Sequence, residues 1–243
     1  MKPVLLVRND PYESFGVAPG AFAQARVDLL TVDVTSPGTR LPPLDQVSGV
    51  VTFGGTVNVD QFHERPSLAQ VRTYTGEAVE RGVPYLGICL GSQILARAAG
   101  VDVVRGPVRE VGFEPVRPTP RAKEDPLLSF LDEREMVLQW HEDTHELPAG
   151  ATLLVTGDRI PMQGYRIGDR AWGLQFHLEV DMWELGWWLD AADAGIDLKA
   201  EWGKSADEIR AESALYMMGQ QERGREIFSR FADVVRAVGS TSQ

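Results

Sequence analysis

The segment from Pro84 to Gly100 constrains the architecture more than any other part of the chain. Residues 84–88 are a short apolar run, and residues 90–99, rich in Ala, Leu and Ile, predict a helix that stops at Gly100. Between them lies Gly87-Ile-Cys-Leu-Gly91, which leaves room only for a sharp strand-to-helix turn. Such a turn thrusts its apex residue outward, and glycines two residues to either side permit close backbone approach and unusual φ/ψ values. The apex residue is Cys89, the single cysteine of the chain, so no intrachain disulfide and no multi-cysteine metal site can form. The helix N-terminus that follows offers unpaired N–H groups and a partial positive charge, which favour a thiolate and can stabilise a developing oxyanion. Most free cysteines are simply small buried hydrophobes. Glycine at −2 and +2 with glutamine at +4, however, coincides by chance only about twice in ten thousand at average composition.

The rest of the first half repeats the theme. Apolar runs at residues 3–7, 27–34 and 50–53 alternate with amphipathic stretches, as expected for a mostly parallel central sheet flanked by helices. Residues 67–81 follow Pro66, carry Leu68, Val71, Tyr74, Ala78 and Val79 at helical spacing and stop at Gly82, which predicts a crossover helix. From residue 101 to 176 the punctuation changes to Pro and Gly between β-like runs at 112–116, 136–140, 152–156, 164–167 and 171–176, which predicts antiparallel additions to the sheet. Beyond Val180 the composition is helical, with helices expected at 205–218 and 221–238 and a frayed tail at 239–243. The simplest division is a catalytic domain over residues 1–180 and a helical C-terminal extension, 181–243, packed on the same domain. At 243 residues, 43% of them apolar, the chain can bury a substantial core.

A nucleophilic thiol usually needs a base, and the base needs a third group to orient it. His177 and Glu179 stand two apart at the end of the apolar run 171–176. In an extended strand residues i and i+2 share a face, so the carboxylate can reach the imidazole and fix its tautomer. Two other patterns compete. The sequence His141-Glu-Asp-Thr-His145 satisfies the H-E-x-x-H pattern of zinc peptidases, but that chemistry needs a helix. Residues 136–140 are β-like and Pro148 and Gly150 follow closely, so neither a metal nor any other cofactor is expected. Gly203-Lys-Ser205 resembles the end of a phosphate-binding loop, but Leu198 occupies the place of its first glycine.

Trp183, Trp187, Trp188 and Trp202 crowd the stretch after the proposed catalytic strand. The i,i+4 spacing of Trp183 and Trp187 predicts one helix face packed on the sheet; an aromatic patch over the site or against a partner is the alternative. With 24 Lys and Arg against 35 Asp and Glu the net charge is −11, which argues against nucleic acid as a partner. No apolar run approaches the ~20 residues of a membrane span, so the reading is a cytoplasmic protein without a membrane partner.

GICLGSQ at 87–93 together with His177-x-Glu179 resembles the class I glutamine amidotransferases, in particular stand-alone proteins similar to the amidotransferase domain of GMP synthase. VVTFGGTVNVD at 50–60 looks like the Gly-Gly loop of that family, and WHED at 140–143 and GYR at 164–166 match further motifs. The resemblance implies a flavodoxin-like α/β fold and a glutaminase reaction: Cys89 attacks the side-chain amide of glutamine, His177 shuttles the proton and Glu179 holds it. The N–H groups of Gly55 and Leu90 would form the oxyanion hole, and Gln93, His141 and Asp143 would contact the substrate. The partners implied are glutamine or another γ-glutamyl amide, and a separate synthetase subunit as ammonia acceptor. A γ-glutamyl peptide or amine hydrolase and a partner-dependent regulatory subunit are the alternatives. Thr56 and Leu178 stand where the family usually has proline, which removes two stiffening rings from the site loops.

Overall fold

The computed structural model describes residues 1–61 and 63–241. Its strands are β1 (Val4–Arg8), β2 (Leu29–Asp33), β3 (Gly49–Thr52), β4 (Tyr85–Ile88), β5 (Val103–Pro118), β6 (Glu135–His145), β7 (Thr152–Gly157), β8 (Gly164–Ile167) and β9 (Ala171–Leu174). They form one nine-stranded sheet in the order β2-β1-β3-β4-β9-β8-β7-β5-β6. The β2-β1-β3-β4-β9 half is parallel and the β9-β8-β7-β5-β6 half antiparallel, so the change of punctuation near residue 101 marks a change of strand direction. The parallel half has the doubly wound order in which ligands bind beyond the carboxyl ends of the strands.

Helices α1 (Ala18–Gln24), α2 (Pro66–Glu80), α3 (Leu90–Ala98), α4 (Met182–Gly195), α5 (Leu198–Trp202) and α6 (Ala206–Thr241) complete the fold. Period-two alternation along β1 divides the core between the two faces of the sheet. Val4 and Leu6 join Phe22, Phe53, Phe228 and Phe231 on the face covered by α1 and α6. Leu5 and Val7 join Leu68, Val71, Ile94 and Leu95 under α2 and α3. Strands covered on both faces read as continuous apolar runs, which is why β1, β3 and β4 are legible in the sequence.

Three expectations are corrected. The two C-terminal helices are one 36-residue helix that passes through Gly219. A glycine there costs only about 1 kcal/mol relative to alanine. Ile227, Phe228, Phe231 and Val235 are buried on the same helix, and each such side chain contributes about 1.5–3 kcal/mol. The expected tail at 239–243 is helical as far as Thr241, and residues 242 and 243 lie outside the described residues. Trp183 and Trp187 do not pack on the sheet: they are 80% and 56% exposed, and α4 instead buries Leu185, Leu189 and Glu184.

The Gly203-Lys-Ser205 turn joins two helices. Gly203 takes φ 89° at the C-terminus of α5, and Ser205 and Glu208 exchange side-chain-to-backbone hydrogen bonds as a capping box at the start of α6. Among the described residues no helix is long and apolar enough to cross a membrane.

Candidate active site

The ends of the parallel strands build the site. Asn9 and Asp10 follow β1, Gly54 and Gly55 follow β3, Cys89 follows β4, and Gln175 and His177 follow β9. β4 and β9 are neighbours, and the N–H of Cys89 donates to Leu174 O at 2.7 Å. Strand pairing therefore places the thiol and the imidazole side by side although they are far apart in sequence.

Cys89 sits at the entry to α3 with φ 50° and ψ −109°, a left-handed φ that a non-glycine residue rarely adopts. The strain falls on the cysteine itself, and the flanking glycines serve close approach. A Cβ on Gly87 would lie 2.3 Å from Gly91 O, and one on Gly91 would lie 2.0 Å from Thr52 O. Leu90 is the first residue of α3, so its N–H has no intrahelical acceptor.

His177 is buried, and its Nδ1 donates to Glu179 Oε1 at 2.6 Å. Burial alone would lower its pKa, but the negative charges of Glu179 and Cys89 and their hydrogen bonds outweigh it and hold His177 well above the usual histidine range. Glu179 is fully buried, and its carbonyl accepts from Val17 N at 2.8 Å. The loop that makes this contact carries left-handed φ values at Phe15 (70°) and Gly16 (46°). A Cβ on Gly16 would lie 1.9 Å from Glu179 O, so only glycine fits there.

The other nominated residues divide. Gly55, Gln93, His141 and Asp143 all line the cleft that contains Cys89. Gln93 Nε2 donates to Gln175 Oε1 at 3.2 Å, and Gln175 Nε2 lies 3.8 Å from Cys89 Sγ, which ties Gln93 to the thiol through a residue the sequence reading did not nominate. Asp143 Oδ2 accepts from Asn58 Nδ2 at 2.7 Å. The ring nitrogens of His141 are taken by Glu110 Oε2 and Asp143 O, both at 3.0 Å. The H-E-x-x-H residues lie on β6, an extended strand, which does not give the helical zinc geometry. Among the described residues no three His, Cys, Asp or Glu side chains are grouped to hold a metal ion.

Other contacts replace the two missing proline rings. The Thr56 N–H (3.0 Å) and hydroxyl (2.6 Å) both donate to Asp10 Oδ2, and a proline could supply neither. Leu178 is buried in the core, and its carbonyl abuts Gly224 of α6, where a Cβ would lie 2.2 Å from Leu178 O.

Two buried acids also escaped the sequence reading. The N–H of Phe15 donates to Glu13 Oε1 at 2.7 Å, and the N–H of Ser14 donates to Glu184 Oε1 at 2.6 Å. Glu13 lines the cleft. Burial first, then the charges of Glu184 and Glu179, pushes Glu13 well above the usual carboxylate range. Burial likewise pushes Glu184 up to about 7. The tryptophans at the cleft are Trp140, Trp188 and Trp202, joined there by Tyr12; the exposed pair Trp183 and Trp187 is not among its lining.

The chain thus combines a doubly wound fold with a cysteine elbow after β4 and with His177 and Glu179 just beyond the end of the neighbouring strand β9. The profile of the family "Glutamine amidotransferase class-I" matches residues 20–186, and the chain belongs to that family. It is a glutamine amidotransferase. It is 29% identical over 180 residues to a glutamine amidotransferase-like protein, YfeJ, of Salmonella typhimurium, a match that covers 72% of this chain and 75% of that protein. It is 34% identical over 148 residues to the glutamine-hydrolysing GMP synthase of Porphyromonas gingivalis, which covers 59% of this chain and 27% of that one. The chain thus spans about a quarter of the GMP synthases it matches. A glutamine amidotransferase from Thermotoga maritima superposes with a TM-score of 0.83 at 28% identity, over 95% of this chain and 98% of that one.

Proposed function

We propose that the chain hydrolyses the side-chain amide of glutamine through a γ-glutamyl thioester on Cys89. The observation that carries this reading is the 2.6 Å hydrogen bond from His177 to Glu179, with His177 and the strained Cys89 lining one cleft. In this reading His177 takes the thiol proton and the thiolate attacks the amide carbon. The N–H groups of Gly55 and Leu90 stabilise the oxyanion, and the imidazolium returns its proton to the departing nitrogen as the C–N bond breaks. Water, deprotonated by His177, then opens the thioester to glutamate and restores the thiol. A placed general acid–base contributes a factor of about 10²–10⁴, and each oxyanion donor about 10²–10³. Gln93 positions Gln175 beside the sulfur, and Asp143 offers a carboxylate to the substrate ammonium. The ammonia released in this reading would be consumed by a synthetase, as the likeness to part of the GMP synthases suggests.

The test is intact-mass analysis after incubation with a chloroketone analogue of glutamine, with free glutamine as competitor and Cys89→Ser as control. One-to-one labelling of Cys89 that glutamine suppresses is the expected result. Labelling indifferent to glutamine, or equal glutaminase activity in Cys89→Ser and the parent, overturns the reading.

A further inference from the structure

The cleft over Cys89 has a volume of about 640 Å³, within the range that accommodates drug-sized ligands and more than glutamine fills. Its walls differ in character. Alternation along β6 turns Trp140 and Glu142 to one face and His141 and Asp143 to the other. On the Trp140 side the rings form a continuous series. The His177 imidazole meets Trp188 edge to face at 5.1 Å, Trp188 meets Trp140 at 5.8 Å, and Trp140 meets Trp202 at 6.4 Å. Arg109, paired with Glu142, lies 5.0 Å from the ring centre of Trp202. Ala191, Ala192 and Ile196 add an apolar margin to the same cleft. The same cleft also carries a polar pair, Asn58 Nδ2 donating to Asp143 Oδ2 at 2.7 Å.

An imidazole that protonates a leaving nitrogen must stand beside that nitrogen, so any substituent on the nitrogen runs along the surface adjoining the imidazole. Here that surface is indole. Ammonia has no substituent to place there. The indoles pack against the apolar cluster around Val111, Phe113 and Leu185, yet they stay only partly buried and line the cleft, so each keeps surface for a ligand. We propose that the Trp188–Trp140–Trp202 wall is a leaving-group subsite that takes the aromatic substituent of an N-substituted γ-glutamyl amide. The inference rests on the thiol-hydrolase reading above and extends it. Cys89 attacks the γ-carbonyl carbon, the C–N bond breaks, the amine R–NH2 departs with a proton from His177, and water releases glutamate from the thioester. The aromatic R group stacks against the indoles throughout.

The full chain is assayed by glutamate release from three substrates: glutamine, γ-glutamyl-methylamide and γ-glutamyl-benzylamide. The readout is the ratio of kcat/KM for the benzylamide to that for the methylamide, which a general loss of active protein does not move. The ratio is expected to be about tenfold in the parent chain, to fall at least fivefold in Trp202→Ala and to be largely kept in Trp202→Phe. A parent ratio at or below one, with glutamine still hydrolysed, overturns the subsite and leaves the hydrolase reading standing. A ratio unmoved by Trp202→Ala also overturns it, and leaves the indoles as a surface for a protein partner. No glutamate from any of the three substrates overturns the hydrolase reading itself.

Discussion

Glu13 and Glu184 are two buried acids held by consecutive backbone N–H groups: that of Phe15 donates to Glu13 Oε1 at 2.7 Å and that of Ser14 to Glu184 Oε1 at 2.6 Å. Burial, with the negative charge of Glu184 and Glu179 acting on Glu13 and that of Glu179 acting on Glu184, favours the protonated form of each. Glu184 titrates at about 7 and Glu13 also lies high. A carboxyl whose folded pKa exceeds its unfolded value stabilises the fold fully below the unfolded pKa, and that stability is lost as pH rises through the folded one. The parent chain should therefore lose melting temperature between pH 5 and pH 8. Glu184→Gln keeps an oxygen for the Ser14 N–H and cannot ionise. Its melting temperature relative to the parent should rise over that interval, as thermal melts at both pH values will show.

Against the lowering effect of burial, the charge of Glu179 is the strongest influence that raises the His177 pKa. Glu179→Gln keeps the shape and removes the charge, so His177 should release its proton at lower pH. The alkaline limb of the kcat/KM profile for glutamine should move to lower pH. His177→Ala, which removes the acid–base group altogether, should cost about 10²-fold or more in kcat and exceed the loss in Glu179→Ala.

Thr56 supplies both protein hydrogen bonds to Asp10 Oδ2. Thr56→Val keeps the N–H and loses the hydroxyl, and Thr56→Pro loses both. Hydrogen bonds to a charged group contribute about 1.5–3 kcal/mol, so urea unfolding should rank the parent above Thr56→Val and Thr56→Val above Thr56→Pro.

Two glycines of α6 should respond in opposite directions. A Cβ at Gly219 meets nothing within 4 Å, and Gly219→Ala should stabilise by about 0.5–1 kcal/mol. At Gly224 the Cβ strikes the Leu178 carbonyl. Gly224→Ala should destabilise by about 1–3 kcal/mol and, by displacing the backbone between His177 and Glu179, lower kcat as well. Urea melts and glutaminase assays of the pair check both.

The elbow was legible because a strand end and a helix start complete its geometry. His177 and Glu179 do meet, but not by the strand alternation expected: β9 ends at Leu174, and a 2.6 Å hydrogen bond joins the pair in the irregular segment beyond it. The inner parallel strands β1, β3 and β4 were legible because burial on both faces leaves them almost uniformly apolar. Other features depend on relations that no local pattern carries. Glu13 and Glu184 meet through a loop with left-handed φ at Phe15 and Gly16. The helix α4 has Met182, Trp183, Leu185, Trp187, Trp188 and Leu189 around most of its circumference, so spacing alone offered two possible inner faces. Packing selected the Leu185–Leu189 face, turned Trp188 toward His177 and left Trp183 outside. The continuity of α6 across Gly219 was hidden because a glycine is a helix stop only when no tertiary contacts carry the chain through it.

The reacting groups all leave the ends of β1, β3, β4 and β9, whereas the indoles that border them come from β6, α4 and α5. The two sets sit on different segments of the chain. Drift in the second can alter which nitrogen compound is accepted without disturbing the first, so descendants of such a scaffold can change diet while their chemistry stays fixed.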